Sequence, residues 1–173
     1  MSKVKYTYKD IDDPITQAAK YEDLSLIKRL HEEGVSCDNP NAIEFPSERN
    51  NLAMLKYLVE IVKVPVNSCA MGIAGSVGNL EVMQYLFDIA KPDCSPLSIF
   101  HCIEWNQPLA VQFFLTHYDI SLEIFELCLT KAQNNQTMTE LLCFYKFAKF
   151  PTFEQKDNFI RFASLFSDLL LIP

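Results

Sequence analysis

With 173 residues, 49% of them hydrophobic and 21% charged, the chain has enough apolar material for one folded domain and too few charges to stay disordered. A formal net charge of −7 repels phosphate backbones, and Lys28-Arg29 is the only adjacent basic pair, so nucleic-acid binding is not expected. No run approaches the roughly 20 apolar residues of a membrane span, and the opening MSKVKYTYKDIDD lacks the apolar stretch of a secretory signal. A cytoplasmic location is the resulting expectation.

Self-similarity organises the chain. Leu24, Leu52, Leu80 and Leu109 recur at steps of 28, 28 and 29, and Leu30, Leu58, Leu86 and Leu115 follow at the same steps; a further 29 reaches Met138 and Phe144. Five units follow, approximately 13–40, 41–68, 69–97, 98–126 and 127–150, with a terminal helical segment over 151–173.

In the first unit, Ile15 to Tyr21 forms a short first segment, and Leu24, Ile27 and Leu30 give a second segment with helical spacing. In the second unit Pro46 falls where a helix interior is expected, which predicts a late start or a kink. The third unit pairs Met71 to Val77 with Leu80, Met83, Leu86 and Phe87, joined at Gly78-Asn79. The fourth centres on Phe100 to Asn106, and Ser95-Pro96-Leu97 reads as an opening one residue out of register, with an insertion; the fifth begins with Leu129 to Asn135. The tail carries Phe153, Phe159, Phe162, Phe166, Leu169 and Leu170, which describes apolar helix rather than a polar end cap, whether tucked over unit five, kept for a partner, or cut from a longer parent. A helix pair cannot bury its own apolar face, so the units are expected to stack.

Asp13-Pro14-Ile15-Thr16-Gln17-Ala18-Ala19 resembles the T-P-L-H-x-A-A opening of an ankyrin repeat, and His31 to Asp38 resembles its ending. Ala70 to Leu86 resembles the helix-turn-helix body more closely still. The resemblance implies an all-α fold: a solenoid of about five ankyrin-like helix-turn-helix units. The family period is about 33, and the shorter period here implies short loops in place of β-hairpin fingers, with the C-terminal helical segment closing the stack.

The chemistry of an enzyme is not assembled by the sequence. His31, His101 and His117 occupy different repeat positions, and no G-x-S-x-G, H-E-x-x-H or phosphate-cradling glycine loop occurs. Cys37, Cys69, Cys94, Cys102, Cys128 and Cys143 contain no C-x-x-C pair and read as free thiols. His101-Cys102 is the only adjacent couple, but neighbours on a helix point about 100° apart, and Cys102 falls in an apolar core slot. No catalytic residue, cofactor or metal is expected.

The resemblance instead implies a protein-interaction module whose first helices line a concave face. The residues just before each interhelical turn are the candidate contacts: Lys20 and Tyr21, Glu48 and Arg49, Ser76 and Val77, Trp105 and Asn106, Asn134 and Asn135. Trp, Tyr and Arg are the side chains most enriched at binding hot spots. A monomer with a protein partner is expected, and the resemblance to finger-shortened ankyrin proteins that act on host proteins extends this to a host-cell partner. A docking subunit using the apolar tail and a thiol-dependent enzyme are the alternatives.

Overall fold

The computed structural model describes residues 13–149. All regular structure among these residues is helical, and no strand occurs among them. The terminal segment 151–173 lies outside the described residues. The helices are α1 (Pro14–Lys20), α2 (Leu24–Glu32), α3 (Glu44–Glu48), α4 (Leu52–Lys56), α5 (Ser68–Val77), α6 (Leu80–Ala90), α7 (Pro96–Glu104), α8 (Pro108–His117), α9 (Leu122–Ala132) and α10 (Gln136–Lys149). A 3-10 turn, Pro40–Ile43, leads into α3, and a π-helical turn, Tyr57–Val62, extends α4.

Each odd-numbered helix packs against the even-numbered helix that follows it, and α1, α3, α5, α7 and α9 also pack in series. The reason lies in the turn between the two helices of a pair. Glu22, Asn50, Gly78 and Asn106, at a step of 28, all have left-handed backbone, with φ of 60°, 57°, 79° and 52°. The next residue, Asp23, Asn51, Asn79 or Gln107, donates its N–H to the carbonyl five positions back, Ala18, Pro46, Ala74 or Cys102, at 2.8 to 2.9 Å. A left-handed residue followed by such a bond closes a helix, and the residue that donates the bond then opens the next as its N-cap. Asp23, Asn51 and Asn135 use their side-chain oxygens to cap Leu26, Met54 and Met138.

The N-caps of the second helices, Asp23, Asn51, Asn79, Gln107 and Asn135, hold a constant step of 28, which corrects the register read from leucines. Pro108, not Leu109, is equivalent to Leu80, and Leu109 is 59% exposed. Phe114 and Leu142 take the position of Leu58 and Leu86, and all four are fully buried, as are Leu55, Met83 and Val111 three positions before Leu58, Leu86 and Phe114; in α2 the matching Ile27 is fully buried and Leu30 half-buried. Leu24, Leu52 and Leu80 are half-buried against this core rather than inside it.

Pro46 is accommodated by a late start. The α-helix begins only at Glu44, so the missing N–H of Pro46 falls in the first turn, where no intrahelical partner is needed. Ser95-Pro96 is in register rather than displaced: Asn39 opens the 3-10 turn that leads into α3, and Asn67 and Ser95 open α5 and α7, at a step of 28. The steps at the two ends are irregular: from Asp13 to Asn39 and from Ser95 to Ser121 the spacing is two residues shorter, so α9 starts two residues early. The π-helical turn ends the second helix of pair two ahead of left-handed Lys63, the counterpart of left-handed Lys91 after α6.

Candidate interaction surface

Hydrogen bonds and close approaches tie each interhelical turn to the next. Arg49 Nη1 donates to the Lys20 carbonyl at 2.6 Å, and Asn51 Nδ2 donates to Glu22 at 3.4 Å. Asn79 Nδ2 donates to the carbonyls of Ser47 and Glu48 at 2.8 and 3.0 Å. Gly78 packs so close to Gln107 that a Cβ there would stand 2.6 Å from its Oε1. Asn135 Nδ2 donates to Asn106 Oδ1 at 2.8 Å. Five turns therefore lie side by side along one edge of the molecule.

The side chain that ends each first helix projects from this edge. Tyr21 is 73% exposed, Val77 43% and Trp105 42%, and Arg49 is exposed between them, 3.7 Å from the Glu22 carboxylate. Lys20 is half-buried, with its ammonium over the Tyr21 ring. Glu48 is exposed.

Three expected contacts need correction. Ser76 is buried, and its hydroxyl donates to the Ile73 carbonyl at 2.8 Å, so it leaves no donor for a partner. Asn106 is the left-handed turn residue, not the helix-ending one, so the counterpart of Lys20 and Glu48 in pair four is Glu104, which pairs with Lys131. Asn135 is the cap of α10 and bonds to Asn106, which commits both amides to the turn. Asn134 is exposed beside it, and Gln133, also exposed, continues the step of 28 from Trp105. The Pro at the start of α8 was the signal that would have fixed this register, because proline favours the first helical position.

The thiols are chemically quiet. Burial pushes Cys37 and Cys94 up to about 11 and Cys102 and Cys128 up to about 12, and it also raises Cys69 and Cys143. A nucleophilic cysteine needs the opposite shift. Cys37 instead donates to Asp13 Oδ2 at 2.8 Å, which joins the end of the first unit to its opening. Burial alone would raise the Asp13 carboxyl, but bonds from Cys37, Thr16 and the Ile15 and Thr16 N–H groups hold it below the usual carboxylate range. Iodoacetamide at about neutral pH is expected to modify exposed Cys69 first and to leave Cys102 and Cys128 unreacted in the folded protein; rapid labelling of Cys102, read by peptide mass, would contradict this assignment.

Away from the turns, a cleft of about 330 Å³ opens among Cys94, Ile99, Tyr118 and Ile124, with Asp93 and Asp119 at its lining. The hydrogen bond and charge of Lys149, 2.7 Å away, hold the Asp119 carboxyl below its usual range. Among the described residues no group of three His, Cys, Asp or Glu side chains could hold a metal ion, and no helix is long and apolar enough to cross a membrane. No protein-family model, curated protein or solved structure matches the chain.

Proposed function

We propose that the chain is a solenoid of five ankyrin-like helix pairs that binds a protein partner, with Tyr21, Arg49, Val77 and Trp105 as the principal contacts. The observation that carries this reading is the turn-to-turn ladder. It sets one large exposed side chain from each of the first four units in a row, and an aromatic or Arg side chain supplies three of the four. Tyr21 and Trp105 bring contact area with little rotamer freedom to lose, and Arg49, which has more, is already held by Lys20 and Glu22.

The quiet thiols and the separation of the histidines by repeat position support a binding protein over an enzyme. The net charge of −7 favours a partner of basic or mixed character, acting on association rate and selectivity more than on affinity. A cytoplasmic site of action, including that of a host cell, is part of the same reading.

Affinity enrichment from cell lysate with mass-spectrometric readout tests it, run beside a Tyr21→Ala, Trp105→Ala variant whose unfolding transition is unchanged. One partner captured by the parent chain and lost by the variant is the expected result. A partner retained equally by both would overturn the assignment of this edge.

A further inference from the structure

The cleft of about 330 Å³ lies at the other end of α7 from Trp105, at one of the two places where the step of 28 is broken. Asp93 and Cys94, ahead of α7, line one side of it, and Tyr118 to Ile120, ahead of α9, line the other. Ile99 and Ile120 are buried members of the core, so the apolar part of the lining is continuous with it. Tyr118 is fixed twice: its hydroxyl donates to the Pro92 carbonyl at 2.9 Å, and its ring packs on Phe87 and on fully buried Phe114. A wall pinned in this way is preformed, which lowers the ordering cost of whatever enters.

Two exposed leucines adjoin the lining. Leu97, 62% exposed, follows Pro96, and Leu122, 45% exposed, lies between Ile120 and Ile124. The step of 28 puts Asn41 and Cys69 at the position of Leu97, so that leucine belongs to the cleft and not to the repeat. Exposed leucines are ordinary one at a time, whereas apolar surface gathered at a polar-rimmed cleft marks an interaction site. The two charged residues of the lining are both acidic. Asp119 already holds a cation, the Lys149 ammonium at 2.7 Å. Asp93 is exposed and pairs with no cation among the described residues, and the ammonium of Lys91, two residues before it, lies over the Phe87 ring.

We propose, on the basis of the protein-binding reading above, that this cleft is a second docking point for the partner and takes an apolar side chain flanked by a lysine or arginine whose cation pairs with Asp93. Ile99, Ile120 and Ile124 cover the apolar side chain, and the Asp93 carboxylate meets the charge beside it. An acidic segment would set its carboxylates against Asp93 and Asp119 and is rejected by like-charge repulsion. Pro96 and Trp105 are separated by roughly 13 Å along the axis of α7, so one partner that lies along this helix reaches both the cleft and the edge row.

Selection of short random peptides, displayed on phage, against the intact chain tests this. The enriched peptides are expected to carry Leu, Ile or Phe next to Lys or Arg, and a synthetic copy to shift the backbone amide resonances of Tyr118, Ile120 and Ile124 in the isotope-labelled chain. Asp93→Lys, a change at an exposed position that leaves circular dichroism unaltered, is expected to weaken that peptide about tenfold or more. Alanine in place of the peptide's apolar residue is expected to weaken it by a similar factor. Peptides that bind Asp93→Lys as well as the parent chain would overturn the proposal; if the Tyr21→Ala, Trp105→Ala variant loses those same peptides, the edge row holds them and the protein-binding reading stands. A selection that yields no basic-apolar motif also overturns it, while the lysate capture decides the protein-binding reading separately. So does a mass that rises with concentration for the parent and not for Asp93→Lys, which assigns the cleft to a second copy.

Discussion

Leu86→Asp is expected to abolish the cooperative unfolding transition of the protein. Leu86 is fully buried, at the register position shared with Leu58, Phe114 and Leu142, so it sits in the middle of a column of side chains that joins successive pairs. Removing the leucine side chain forfeits roughly 1.5 to 3 kcal/mol of burial. A carboxylate left there with no partner adds several kcal/mol more, and the sum approaches the whole stability of about 5 to 15 kcal/mol of a typical domain. Loss of helical circular dichroism is the predicted reading, whereas unchanged helix content with a normal transition would contradict the placement. Leu86→Ala, which leaves a cavity without a charge, is expected to cost about 2 to 5 kcal/mol and to keep a transition at lower denaturant.

Gly75→Leu is expected to destabilise almost as strongly, for the opposite reason. Gly75 lies within α5 where α5 and α7 meet, and a Cβ there would stand 2.8 Å from Cys102 Sγ and 3.2 Å from Phe114 Cε2. The glycine is needed for close approach of two helices. Its replacement gains up to about 1 kcal/mol of helix propensity. Overpacking costs about 1 to 3 kcal/mol for a few extra methylenes, and here the nearest atoms belong to fully buried side chains that cannot turn away, so a value at or above the top of that range is expected from urea denaturation. Cys102→Ala should recover part of the loss in the double variant and little in isolation; additive costs would show that Gly75 does not meet Cys102.

The five-pair organisation was legible because apolar residues at fixed steps must share one face once the chain is helical. Leu58 and Leu86 announced the core correctly. The slip came at Pro108-Leu109, where following leucine led one residue past the position that matters, since Gln107 caps and Pro108 opens the helix. The error then carried into the candidate contacts, replacing Glu104 and Trp105 by Trp105 and Asn106, and ended on Asn135, whose amide is used by the turn. Gly78 carries the usual sign of the left-handed conformation and Asn50 and Asn106 a weaker one, but Glu22 carries none, so the turn was not legible as a repeated feature. Ser76 was expected to be exposed by its place before the turn; it is buried, with its hydroxyl bonded to the Ile73 carbonyl, which a repeat register does not contain.

Deleting residues 79–106, so that Gly78 joins Gln107, tests most directly that the chain is built of interchangeable 28-residue steps. The excision removes one complete step, from the N-cap of α6 through the left-handed residue after α7, and gives α8 to α5 as its partner, with Val111 and Phe114 in place of Met83 and Leu86. In a stack whose stability comes from nearest neighbours, the shortened chain remains helical and unfolds cooperatively in urea, at a lower midpoint than the parent. A shortened chain without a cooperative transition would contradict the repeat, and with it the edge row that the repeat creates.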